Sequence, residues 1–439
     1  MSIKARLDRL TGEKTSTVPA DPDAQGKQEK ISDLRRRIDS VIERRPVHRN
    51  RIYRPLTEVI ADSEEANTSL GKVVVFHGRY HRGAFHGCKR IGDLTNLSTG
   101  NAAILGGHPA ISEFNFQDAL FLDTETTGLS GGSGTMPFLI GLGWYEGEAF
   151  ITRQLFARDF GEESALLSYL TELAGDKRFL ITFNGRAFDM NLLSVRYILN
   201  RMKDPFSGMP HIDLLHPSRR MLGHRLENSR LVTIEEKVLL HVRDGDIPGH
   251  EIPQRYFDWL RSRNPALMMD VLEHNRLDVV SMAALLLHLC EILDYGIEAE
   301  GACHSDVLAA SRFFLERGER DRGVRMLQSL QHSEDSFCRN EARRNLSLQL
   351  KKDGKWDQAV SLWEQMVAEV QDGFAMVELA KWYEHKLFDF EKAAHLVCQA
   401  LTNETDQETR AGLTYRLERI RRRISVAGRK KKRNDPKGD

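Results

Sequence analysis

Two carboxylates two residues apart, in FLDTETTGL, are where chemistry first becomes legible in this chain. Asp123 and Glu125 close an apolar run, residues 119–122, of the kind that forms a buried strand. Side chains i and i+2 on a strand share a face, so both acids would aim at one point above the sheet end. Anions that close repel and raise each other's pKa unless a cation lies between them. Hard oxygen ligands of this kind select Mg²⁺ or Mn²⁺. Asp189, in ITFNGRAFDMNLL, follows a strand pattern and opens a helical one. Alone it reads as a cap or a dipole partner, and Asn184 before it as a turn residue. Asp278, in LEHNRLDVVSM, lies inside a long helical pattern with His274 one turn earlier on the same face. Alone that pair reads as a surface hydrogen bond.

The elements that must carry these groups follow from periodicity. Residues 138–144 and 149–156 are apolar runs split by Glu146 and Gly147, a hairpin signal. Residues 162–174 have helical spacing, 178–183 read as a strand, 188–201 as a helix and 212–215 as a short strand. Residues 256–260 look helical, and 266–293 hold one long helix or two. Before them, residues 73–76 are a β-prone run opening a Gly/His-rich stretch of hairpins and loops. The pattern predicts an α/β domain over 71–297, a mixed sheet flanked by helices. From 298 to 425 the reading is helical throughout. WDQAV at 356 and FEKAA at 390 both open helices, offset by 34 residues, the tetratricopeptide period; Asp321, Gly323 and Val324 fall near the same period. A stacked repeat presents a partner surface, whereas a plain helical cap on the first domain would not.

Composition narrows the class. Lys plus Arg equals Asp plus Glu at 63 each, so overall charge announces no partner and any positive field must be local. Such local fields lie in the basic stretch 33–54 and in RKKKR at 429–433. Residues 1–70 read as a basic, largely disordered arm, and 426–439 as a disordered basic tail that adds phosphate affinity. Five scattered cysteines without CxxC argue against a disulfide framework and a cysteine-rich zinc module. No signal-peptide core and no span of roughly 20 apolar residues is present, which predicts a cytoplasmic protein without a membrane partner.

The acidic pieces gain meaning as an ordered set. DxE on a strand, then NxxxFD, then HxxxD resembles the three motifs of the DnaQ-like, DEDD-type exonucleases of ribonuclease-H fold. The longer blocks LDTETTGLSGGSGTMPFLIGLG, FNGRAFD, HIDLLHPSRR, LENSRLVTIEEKVL, DGDIPGHEIPQRYFDWL and LEHNRLDVVS resemble the YprB-like bacterial family. That family joins such a domain to a tetratricopeptide-like C-terminus and includes proteins named mitomycin repair factor B. The likeness is specific over about residues 70–295 and looser to about 425.

The resemblance implies a ribonuclease-H-like mixed sheet flanked by helices, followed by an all-α helical-repeat domain. It implies that Asp123, Glu125, Asp189 and Asp278 hold two divalent ions, Mg²⁺ or Mn²⁺, and that His274 takes the proton from the attacking water. Thr124, Thr126 and Gly128 would flank the metals and meet the 3′-terminal nucleotide through backbone groups; Asn184 and Arg186 would bind substrate, Arg186 at a phosphate or else as a solvated arginine; Gly131, Gly132 and Gly134 would either let the backbone approach substrate or simply close a turn. The implied activity is 3′–5′ exonucleolytic hydrolysis of single-stranded DNA in repair, with a helicase docked on the repeats. A 3′–5′ exoribonuclease and a nucleic-acid-binding scaffold with a degenerate nuclease domain are the alternatives. One departure stands out. The histidine subclass has HxxxxD and the tyrosine subclass YxxxD; here His274 sits at the tyrosine spacing, about 40° from Asp278 around a helix.

Overall fold

Seven strands form the main sheet of the computed structural model, which describes residues 53–128 and 134–434. They are β1 (Ser63–Thr68), β2 (Gly71–Tyr80), β3 (Ala119–Thr126), β4 (Pro137–Glu146), β5 (Ala149–Phe156), β6 (Phe179–Thr182) and β7 (His211–Asp213). Their order across the sheet is β1-β2-β5-β4-β3-β6-β7. Pairs from β1 to β3 along that order are antiparallel; β3–β6 and β6–β7 are parallel. The longer helices of this part are α1 (Gly100–Gly106), α2 (Glu163–Ala174), α3 (Asp189–Leu199), α4 (Leu215–Leu222), α5 (Ile252–Ser262) and α6 (Ala266–Tyr295).

Strand β3 explains the layers. Residues 119–122 of β3 have no accessible surface, and their side chains alternate between two cores. Ala119 and Phe121 face a core built with α1 and the later turns of α6; Leu120 and Leu122 face one built with α2, α3 and α5. The first turns of α6 (Met268, Val271, Leu272) belong to the second core, and Val279 onward to the first. Residues 273–278 therefore cross from one layer to the other at the sheet's end, where β3 delivers its carboxylates. The run 266–293 is thus one helix, and it is fixed by burial on both sides.

Two expected boundaries move. Residues 63–68, assigned to the arm, form β1, which pairs with β2 from Ser63↔Phe76 to Thr68↔Gly71. The acidic SEEANT is too polar to signal a strand, but an edge strand needs only one neighbour's backbone. At the other end the last helix runs to Asn434, past residue 426. Expectations for residues 1–52, for Gly131 and Gly132, and for side chains after residue 426 lie outside the described residues.

The C-terminal region is all helical: α7 (His304–Glu316), α8 (Arg320–Ser329), α9 (Ser336–Lys352), α10 (Trp356–Val370), α11 (Gly373–Trp382), α12 (Phe390–Asn403) and α13 (Gln407–Asn434). Three successive apolar clusters fill it, around Leu327, Trp363 and Val397. Trp356 and Phe390 begin α10 and α12, as their matching motifs predict. Several buried polar groups are paired: the Trp363 indole donates to Ser347 Oγ (2.8 Å), and Arg416 and Arg419 donate to the fully buried Glu384 (2.9 and 2.8 Å). No helix among the described residues is long and apolar enough to cross a membrane.

Candidate active site

Strand β3 sends Asp123 to the same side as Phe121, towards α6. Asn275 of α6 meets it there: its Nδ2 donates to Asp123 Oδ2 at 2.8 Å. Asn275 is itself fully buried and held from β5, where Gln154 Nε2 donates to its Oδ1 (2.9 Å) and to the Leu272 carbonyl (2.7 Å). The helix can come this close because Gly141 of β4 lies opposite Asp123 in the register. A Cβ there would sit 2.3 Å from Asn275 Oδ1. Gly141→Ala is accordingly expected to cost about 1–3 kcal/mol through overpacking and to detach Asn275 from Asp123. Urea denaturation checks it; unchanged stability would mean that α6 does not depend on that gap.

Thr124 points to the opposite side, towards α3. Its hydroxyl donates to Asp189 Oδ1. Asp189 opens α3, so it is held where the preceding loop places the helix start. That loop is pinned by Asp213, buried at the end of β7. Its carboxylate accepts from the backbone N–H of Asn184 (2.7 Å), Arg186 (3.1 Å) and Leu215 (3.1 Å). Asn184 sits at φ 64°, a left-handed conformation that asparagine tolerates better than most residues. The Arg186 side chain donates to the His211 carbonyl (2.8 Å). Thr126 donates to the Gly128 carbonyl (2.7 Å), closing the turn after β3, and a Cβ on Gly134 would enter open space.

On α6, His274 Nε2 lies 4.0 Å from Glu125 Oε1 and 3.6 Å from Asp278 Oδ2. Facing atoms of these three residues lie within 4.8 Å of one another, a spacing that can hold a metal ion. Asp278 also accepts from Arg243 Nη2. Arg243 is almost fully buried and bridges Glu235 by two bonds (2.6 and 2.5 Å) and Asp246 by one (3.1 Å). Asp246 in turn meets His274 Nδ1 at 2.8 Å. The spacing HxxxD thus does bring His274 and Asp278 to one place, together with Glu125.

Electrostatics follow from this crowding. Burial, then the charges of Asp278 and Asp189, push Asp123 well above the usual carboxylate range. Burial, then the charges of Asp123, Asp278 and Asp189, do the same to Glu125. Asp189 is pushed up to about 6, chiefly by burial and against the Thr124 hydroxyl. The partners that hold Asp123 and Asp189 are a neutral amide and a neutral hydroxyl, which compensate little charge. A buried set of hard oxygen donors left this way fits divalent cations. Glu125 and Asp278, with His274, have the spacing to hold one, and Asp123 and Asp189 add their charge to the same place.

Sequence reading missed Arg243, Asp246, Asn275 and Gln154, and left Asp213 and Glu235 without a role. Asn275 adjoins His274 on α6 and could have been read from the helical period as facing the core; Asp246 lies in the DGDIPG block, a loop with no period from which to read a side chain's direction. The neighbouring loop acids Asp244 and Asp246 are alike in sequence and differ only in three dimensions.

An antiparallel β3-β4-β5 unit extended by two parallel strands, with acids at the end of β3, defines a ribonuclease-H-like domain of nuclease type. Residues 120–290 match the family described as the RNase_H superfamily. The chain is also 33% identical over 350 residues to the uncharacterized protein YprB of Bacillus subtilis (strain 168), a match spanning 77% of this chain and 83% of that one. It belongs to the YprB family.

Proposed function

We propose that this protein is a divalent-metal-dependent 3′–5′ exonuclease acting on single-stranded DNA, with a role in repair. The observation that supports this most is the meeting of Glu125, His274 and Asp278 within ligand spacing, electrostatically coupled to Asp123 and Asp189. Two Mg²⁺ or Mn²⁺ ions held by Asp123, Glu125, Asp189 and Asp278 would supply Lewis-acid polarisation of the scissile phosphate and its nucleophile. The chain's own groups do the rest. Asn275 and Thr124 orient Asp123 and Asp189. His274 takes a proton from the attacking water at Nε2. Thr124, Thr126, Gly128, Asn184 and Arg186 border the place for the 3′-terminal nucleotide. The C-terminal helix pairs act as tetratricopeptide-like repeats that dock a helicase, because a nuclease of single strands needs them exposed.

The test is to incubate 5′-labelled DNA and RNA oligonucleotides with the full-length protein in Mn²⁺ or in EDTA. The reading expects a ladder of shortened DNA in Mn²⁺, none in EDTA, and a block by a phosphorothioate 3′ end. Equal or better shortening of RNA would make it an exoribonuclease. Binding without cleavage in every metal would make it a scaffold.

A further inference from the structure

We infer that Asp246 is a positioning residue that places the single proton of the neutral His274 ring on Nδ1 and leaves Nε2 a bare lone pair facing Glu125 and Asp278. The catalytic consequence rests on the function proposed above; the placement of the proton does not.

Asp246 Oδ1 lies 2.8 Å from His274 Nδ1, and Arg243 Nη1 donates to Asp246 Oδ2 at 3.1 Å. A carboxylate only accepts, so the ring nitrogen opposite Oδ1 must carry the proton. Arg243 Nη1 is also 3.4 Å from His274 Nδ1. A guanidinium only donates, so that approach is contact between two donors, and the carboxylate is the group that decides. On the other edge of the ring, Nε2 is 3.6 Å from Asp278 Oδ2 and 4.0 Å from Glu125 Oε1, too far for a strong bond to either. With its proton on Nδ1, the ring presents Nε2 as the nitrogen that can accept a proton from water or ligate a metal.

The surroundings hold Asp246 to this task. The segment turns at Leu240 (φ 56°) and again at Gly245 (φ 67°), a conformation that glycine adopts at little cost. Ile247 then buries in the core beside α5. Arg243, anchored on the fully buried Glu235, grips Asp246 with one amino group and Asp278 with the other. One cation thus sets the ring's partner and the neighbouring acid together.

The experiment uses full-length protein labelled with ¹⁵N-histidine, free of metal, in a pH series carried up to the point where the ring holds a single proton. Long-range ¹H–¹⁵N spectra identify which nitrogen carries the proton, with His274→Gln to assign the signal. Wild type is expected to show Nδ1–H and a bare Nε2. In Asp246→Asn, Arg243 still demands an acceptor and keeps the amide oxygen, so the NH₂ turns to Nδ1. The ring must then accept there, and its proton moves to Nε2. The two nitrogen signals should exchange character, and kcat on an oligonucleotide should fall by roughly 10²–10⁴-fold with KM within about threefold. A proton on Nε2 in wild type would overturn the inference, as would an Asp246→Asn ring unchanged from wild type. A wild-type protein with no nuclease activity would overturn the function instead, and the nitrogen signals would still decide this point.

Discussion

In EDTA at pH 7.5, the Asp189→Asn protein should unfold at a higher temperature than wild type, and in Mn²⁺ it should turn over roughly 10³-fold more slowly. Both halves come from one buried carboxylate. Asp189 is pushed up to about 6, mainly by burial, whereas an aspartate in the unfolded chain titrates near 3.9. Between those values the folded protein binds the proton more tightly than the unfolded one, so this group's contribution to stability falls as pH rises through the window. Above about pH 6 the folded protein carries the full cost of the charge, about 3 kcal/mol. Asparagine removes it, and the difference should vanish below about pH 4. The hydroxyl of Thr124 can still bond the amide, so the start of α3 should stay in place. On the proposed function Asp189 would be a metal ligand, and its loss would remove several kcal/mol of charge stabilisation, about 10³-fold in rate. Mn²⁺ should then stabilise wild type more than the variant and reverse their order. Thermal unfolding from pH 4 to 7.5, with and without Mn²⁺, reads all of this; a variant less stable than wild type in EDTA at pH 7.5 would contradict the account.

Arg243→Met should be among the most destabilising single changes in this domain, by about 3–5 kcal/mol. Methionine keeps the apolar length of the side chain and removes its charge. The loss follows from what stays behind. Glu235 is fully buried and receives both of its strong bonds from Arg243, and Asp246 and Asp278 each lose a donor. A buried carboxylate stripped of its partner costs far more than the intact pair contributes. Arg243→Met combined with Glu235→Gln should therefore recover a substantial part of the loss, because a neutral amide tolerates burial better. Urea denaturation of the two single variants and the double variant forms a cycle. Strict additivity would show that the pair is not the structural unit described. The same variants should lose turnover, since Arg243 also holds Asp278 beside His274.

Legibility differed between the parts of the site for physical reasons. Asp123 and Glu125 were readable because a strand alternates with a period of two, and four buried apolar residues announce it. His274 and Asp278 were readable because four residues span about one helical turn, and the apolar spacing of α6 is strong. Asp189 alone looked like a cap, and only its place in the ordered set marked it. The edge strand β1 escaped because SEEANT buries little, and the hairpin it makes with β2 depends on backbone bonds that no side-chain pattern records.

The linear chain by itself determined the periodic elements, the order of the acidic motifs and the α/β-then-α division, because periodicity ties side-chain direction to position. Tertiary structure alone decided which irregular segments close on the site. Arg243 and Asp246 lie 35 and 28 residues before the groups they bind on α6. A loop has no period, so the direction of its side chains is settled only when Glu235, Ile247 and the two cores fix the backbone beneath it.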